Sequence, residues 1–219
     1  MTARLRGDRG QAFPIYIVMV AGLLFLAFAF FTVGKASAVR NGAQGAADAA
    51  ALAAAQDARD GMGTDFLTAL LTPDGLRDFL DDGVRFGLAH PCYVAGVFAE
   101  KNRAEVTPIG GGSACSPGPE GDGITVEVKS LDPVGKSVIP GTEEKYATAS
   151  ATAVIEFRCL LPEEEPEGDG SDEGGEDEGD EPVPVAFDCD GGDQIEVDPT
   201  DLDRWDTISK TLFAVHLAD

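Results

Sequence analysis

The sequence predicts an α+β protein built on one N-terminal transmembrane helix that continues into a long helix. An extracytoplasmic head with an antiparallel sheet and a C-terminal helix follows. Three observations carry this. Ala12 to Val33 is a 22-residue run without a charge. An alanine-rich block follows it. Later segments alternate apolar and polar residues, as half-buried strands do.

The charge is as unevenly distributed as the apolar content. The chain has 219 residues, 16 Lys+Arg, 39 Asp+Glu and a net charge of −23. Its isoelectric point is about 4.2 and its mean hydropathy −0.04. A general nucleic-acid binder is excluded, because phosphate recognition needs a basic face to displace counterions. Residues 1–40 hold five basic residues and one acidic, leaving 11 basic and 38 acidic residues for the remainder.

Residues 1–11 read as a basic cytoplasmic leader with Arg4, Arg6 and Arg9. Residues 12–33 read as the span, since about 20 apolar residues cross a bilayer core as a helix. Pro14 falls in the first turn, where a missing N–H is harmless. A cleaved secretory signal is the competing reading, because Ala36-Ser37-Ala38 resembles a signal-peptidase site. The apolar run, however, exceeds the 7–15 residues typical of such a signal. The basic leader should stay in the cytoplasm and the acidic remainder outside, with the protein single-pass in the cytoplasmic membrane.

Residues 34–60 continue the helix through Ala46 to Ala55, the strongest helix formers available. Residues 61–219 form the head. Thr64 to Leu71 is a short helix with Thr64 as N-cap, and Pro73-Asp74 opens another carrying Leu76, Phe79, Leu80 and Val84. Tyr93 to Arg103 adds a turn or two. Strands are predicted at 105–109, 124–129 and 146–158, with a further pair at 183–189 and 194–197. Along Tyr146–Arg158, Ala147, Ala149, Ala151, Ala153, Ile155 and Phe157 share one face. Residues 198–218 are predicted helical, with Leu202, Trp205, Ile208, Leu212 and Val215 on one stripe. Residues 163–181 hold 12 acidic and no basic residues. The insertion 162–182 is therefore expected to be disordered.

All four cysteines, Cys92, Cys115, Cys159 and Cys189, lie beyond the span, and an even count in an exported region favours disulfides. Of three possible connectivities, Cys92–Cys115 with Cys159–Cys189 is expected; the second pair would staple the ends of the acidic insertion. Free buried thiols are the alternative.

No catalytic, cofactor-binding or metal-ligating residue can be named. There is no CxxC, HExxH or GxSxG. Gly135-Lys136-Ser137 lacks the earlier glycine of a phosphate-binding loop, and Pro140 blocks a following helix. Asp188 to Asp193 is rich in acids and glycine, but a calcium loop would need a glutamate where Pro199 stands. His90, before Pro91, reads as a helix-end cap. His216 has no evident partner.

The stretch Arg6–Ala12, the span behind it, and the block Arg40-Asn41-Gly42-Ala43-Gln44-Gly45-Ala46-Ala47-Asp48-Ala49-Ala50-Ala51-Leu52 resemble the TadE/TadG-like proteins of tight-adherence (Flp) pilus systems. The resemblance covers about residues 6–60, and its marker residues are Arg40, Gln44, Ala46, Ala47, Asp48 and Leu52. The strand core Thr148 to Ala153 is similar to one these proteins carry later. The resemblance implies a pilin-like head and a minor pseudopilin or assembly factor, structural rather than catalytic. Its partners would be the membrane, other pilus or pseudopilin subunits and the assembly machinery. Many members are cleaved by a prepilin peptidase after a glycine. Here that site would be Gly10, with Gln11 as the first mature residue; the fifth mature residue is Ile15 where the family carries glutamate. An anchored binding module that engages cell-wall polymer or cations through its acidic surface is the alternative function.

Overall fold

A computed structural model describes residues 12–72, 74–81, 87–133, 135, 141, 143–160, 183–201 and 203–218. The leader, Gly10 and Gln11, Val84 and the acidic insertion lie outside the described residues.

The α+β architecture is as predicted. Helix α1 runs unbroken from Ala12 to Gly61, about 75 Å at 1.5 Å per residue. Its second half lies against strands β3 (Gly123–Pro133), β4 (Tyr146–Phe157) and β8 (Phe213–Leu217), and against helix α4 (Ala89–Lys101). Alanines make this possible. Ala43, Ala46, Ala47, Ala50, Ala51, Ala54, Ala55 and Ala58 are all buried, and a methyl side chain lets sheet and helix backbones approach closely.

The main sheet is antiparallel in the order β1–β3–β4–β8, with β1 at Ala104–Val106. Strand β2 (Cys115–Pro117) pairs along the same strand β3. Ile124, Val126, Val128, Ala153 and Ile155 point to the core. Thr125 and Thr152 meet on the opposite face, their hydroxyls 2.8 Å apart. This is the one-side-dry alternation of a sheet with one covered face. Between Lys129 and Pro133 the β3–β4 register shifts. There the Ser130 hydroxyl donates to the Asp132 carbonyl and accepts the Ala147 N–H at 3.0 Å, so the irregularity leaves these groups satisfied. Gly123 is required by proximity: a Cβ there would lie 2.2 Å from the Ala153 carbonyl oxygen.

A second antiparallel sheet joins β5 (Cys159–Leu160), β6 (Val185–Cys189) and β7 (Asp193–Val197). The β6–β7 turn uses Gly191 and Gly192 at φ 94° and 85°, a left-handed backbone that favours glycine. The acidic stretch 188–193 is thus a hairpin, in which Asp188 accepts from Gln194 at 2.7 Å.

Helix α5 (Trp205–Leu212), helix α2 (Gly63–Ala69) and both sheets converge on an aromatic cluster. Phe66 lies 5.3 Å from Trp205, 5.5 Å from Phe213, 5.7 Å from Phe79 and 6.2 Å from Phe187, centre to centre. The Trp205 indole N–H donates to the Asp60 carbonyl at the end of α1 at 3.0 Å.

Several expected elements differ. Thr64 is not an N-cap: α2 starts at Gly63 after Met62, and the Thr64 carbonyl accepts the Thr68 hydroxyl. The next helix, α3, spans Gly75–Asp81 and begins after Pro73-Asp74. Helix α4 starts at Ala89, four residues before the expected Tyr93, because Pro91 fits its first turn. The C-terminal helix ends at Leu212, and 213–217 is strand β8, paired with β4 from Phe157↔Phe213 to Ala153↔Leu217. Val215 fitted a helical stripe by spacing, but Phe213 and Val215 equally suit a strand, and the open edge of β4 decides between the two.

Candidate functional site

Helix α1 is the candidate functional element, because its two halves face different surroundings. Every large apolar side chain from Phe13 to Val33 is exposed, with Phe25 at 74% and Phe30 at 76%. Leaving such a side chain in water forgoes about 1.5–3 kcal/mol. The sum over these side chains exceeds the roughly 5–15 kcal/mol that holds a typical domain together, so this half would gain greatly from an apolar surrounding. The helix is long and apolar enough to cross a membrane. Its backbone polar groups are satisfied internally, as a bilayer demands.

The second half carries the marker residues. Ala46 and Ala47 are buried against the head and Leu52 packs at its margin. Gln44 donates to Asp48 at 2.8 Å, one turn on, and reaches the Ser150 carbonyl of β4 at 3.4 Å. The same amide therefore links the helix to the sheet. Arg40 is exposed, one turn before Gln44. The pattern is a packing device, with alanines making the close approach and Gln44 and Asp48 bordering it.

The structure joins Cys92 to Cys115 and Cys159 to Cys189. The first bridge ties α4 to β2. The second links directly opposed residues of β5 and β6, at the two ends of the segment 161–182.

Sequence reasoning missed three contacts. His90 does not cap a helix end; it lies within α4, and its Nδ1 sits 2.7 Å from Asp57 on α1. His216 has partners: its Nε2 is 3.1 Å from Glu156 across the β4–β8 pairing. The Arg158 guanidinium donates to the carbonyls of Lys210 (3.3 Å) and Thr211 (3.0 Å). It caps the C-terminus of α5, where a cation meets the negative end of the helix dipole. These pairs are 33, 60 and more than 50 residues apart in the chain, so spacing gave no signal.

A groove of about 410 Å³ lies between α1 and α4, lined by Asp57, Asp60, Asp65 and His90 with Met62 and Pro91. Among the described residues no group of His, Cys, Asp or Glu side chains is placed to hold a metal ion. The Asp198 carboxyl is held below its ordinary value, first by the Thr200 hydroxyl at 2.7 Å and then by the Thr200 N–H at 2.8 Å. Both stabilise the anion in an exposed turn.

Residues 10–57 match the family described as putative Flp pilus-assembly TadE/G-like. The match ends within α1 and includes none of the head's strands. Comparisons with curated proteins and with solved structures match nothing. Through this N-terminal segment, which holds the uncovered apolar half of α1 and the alanine seat, the chain is similar to the TadE/G-like family of Flp pilus assembly.

Proposed function

We propose that the protein is a membrane-anchored minor pseudopilin or assembly factor of a Flp/Tad-type pilus, structural rather than catalytic. One observation carries this: a single unbroken helix has an apolar half with no protein cover and a second half built into the core of the head. Such a helix couples a folded head to a bilayer, or to a bundle of similar helices. The basic leader (Arg4, Arg6, Arg9) favours a cytoplasmic N-terminus, with the acidic head on the other side. Two disulfides suit an oxidising compartment. The long helix seated on an antiparallel sheet supports a pilin-like reading of the head. Its partners are the membrane, other pilus subunits and the assembly machinery. With Ile15 in place of glutamate after Gly10-Gln11, a permanently anchored accessory protein is favoured over a filament subunit.

Intact mass of the membrane-extracted protein, with and without reduction, tests this reading. The uncleaved chain supports a permanent anchor, and a start at Gln11 supports a processed pseudopilin. A start at Val39 or beyond refutes anchoring. The alternative acidic binding module rests on residues 163–181; their deletion leaves an assembly role intact and abolishes a binding role built on them.

A further inference from the structure

The membrane-facing end of the head can be located from the strand register. Gln44 of α1 touches Ser150 of β4, and Pro133 of β3 pairs with Tyr146. Beyond them the Gly135 N–H donates to the Glu143 carbonyl at 3.2 Å. A Cβ on Gly135 would stand 2.8 Å from the Lys35 ammonium, so Gly135 lies against α1 at Lys35. Gln44 to Lys35 is about 13 Å of helix, and Ser150 to Lys145 about 17 Å of strand. Gly135 and Lys145 therefore reach the level of Lys35.

The apolar run fixes where that level is. From Ala12 to Val33 the helix is about 33 Å long, against a hydrocarbon core of about 30 Å. The excess is about 3 Å, less than one helical turn. Lys35 then stands about 3 Å past Val33, inside a headgroup layer roughly 5–7 Å deep, and Gly135 stands beside it. The side chains suit that layer. Lys35, Arg40 and Lys145 are exposed and have no ion pair among the described residues, as is also true of Arg77, Lys101 and Arg204 elsewhere on the head. Tyr146 is 44% exposed, with the Lys129 ammonium 4.7 Å from its ring centre. Tyrosine and lysine place an apolar body and a polar tip at such a boundary. Glu143 and Glu144, just before Lys145, offset part of the charge, so the attraction is to adjacent phosphates rather than a long-range field.

We propose that Lys35 of α1, with Lys145 and Tyr146 at the start of β4, forms a membrane-surface contact that engages phospholipid phosphates and sets the head's orientation on the bilayer. This rests on the reading of α1 as a span. The test uses the full chain in nanodiscs of phosphatidylcholine and phosphatidylglycerol carrying nitroxide either in the headgroup or in mid-chain. Two single variants report position, Tyr146→Trp at the start of β4 and Phe25→Trp in the span, against the emission of the buried native Trp205. The expected result is loss of emission from Tyr146→Trp with headgroup nitroxide and from Phe25→Trp with mid-chain nitroxide. Adding K35E and K145E should abolish the first loss and spare the second. If Phe25→Trp is quenched and Tyr146→Trp is not, the surface contact is refuted and the span stands. If Phe25→Trp escapes quenching, the span is refuted and the contact with it. If the double charge reversal leaves Tyr146→Trp quenched, the phosphate role is refuted.

Discussion

Replacing Ala47 by leucine tests the seat of α1 on the sheet. Ala47 is 0% exposed, and Ala46, Ala50, Ala51 and Ala54 around it are equally enclosed. Leucine adds three carbons where the helix meets the sheet. Helix propensity barely changes, so the effect is steric. Over-packing a closed site costs about 1–3 kcal/mol, because interiors are packed as densely as organic crystals. For a domain of this size each kilocalorie shifts the melting temperature by about 2–4 °C, so a fall of roughly 2–12 °C is expected.

Gly45→Ala is the matched control. Gly45 lies two residues away on the exposed side of the same helix, and a Cβ there meets nothing within 4 Å. Alanine should stabilise by about 0.5–1 kcal/mol through lower backbone entropy in the unfolded chain. Both variants are compared by thermal unfolding in one detergent, followed by near-ultraviolet circular dichroism, which reports the aromatic cluster. Opposite signs support a seated helix. Equal shifts, or no loss with leucine at position 47, would refute the packing of α1 as the core of the head.

Gly63→Ala should lower stability by about 1–3 kcal/mol and shift the Trp205 emission maximum, since its Cβ would lie 2.7 Å from the indole ring; fluorescence-detected unfolding checks both. Arg158→Met keeps an unbranched stem but removes the guanidinium cap on Lys210 and Thr211, and should cost about 1–3 kcal/mol in denaturant unfolding. Replacing Cys159 and Cys189 together by serine should cost about 3–4 kcal/mol, the chain-entropy value for a closed loop of this length, read from unfolding midpoints without reductant. Thr200→Ala should raise the Asp198 carboxyl toward its ordinary value by removing the largest cause of its depression; carbon-detected titration measures this. Because that group is depressed in the folded state, its small contribution is complete above the unfolded value and fades as pH falls.

The legible parts of the fold are those whose physics is local. Ala12–Val33 announces itself by lacking charge, and Ala46–Ala55 by propensity. The alternation of Thr148 to Phe157 marks β4 because one face of the sheet is dry and the other wet. Strand β8 was not legible. Leu212, Phe213 and Val215 satisfy both a helical stripe and a strand, and only the unpaired edge of β4, some 60 residues away, settles the choice. The same holds for His90 with Asp57 and for Arg158 with the end of α5. Each contact is defined by two distant segments meeting, and neither segment carries a mark of the other. In α1, Gln44 and Asp48 were legible as a motif, but their purpose was not. The link from Gln44 to Ser150 exists only once helix and sheet are together.

The continuity of α1 has a consequence for how the head is held. In its apolar half a bilayer would enforce helix, because no water would satisfy an opened backbone. From Ala43 onward the sheet and α4 enforce it by close packing. Between them, the described side chains of residues 34–42 are exposed apart from the half-buried Val39. This stretch contains Gly34 and Gly42, neither with a heavy atom within 4 Å of a would-be Cβ, and each glycine weakens a helix by roughly 1 kcal/mol relative to alanine. A stalk with two glycines and almost no tertiary cover is the least stable part of the helix, since local stability follows buried contact. Helix stiffness alone is then a poor means of fixing the angle of the head to the bilayer. The Lys35 ammonium stands against Gly135, between β3 and β4. A residue proposed to lie at the level of the headgroup layer is therefore also placed to limit bending where the helix is weakest.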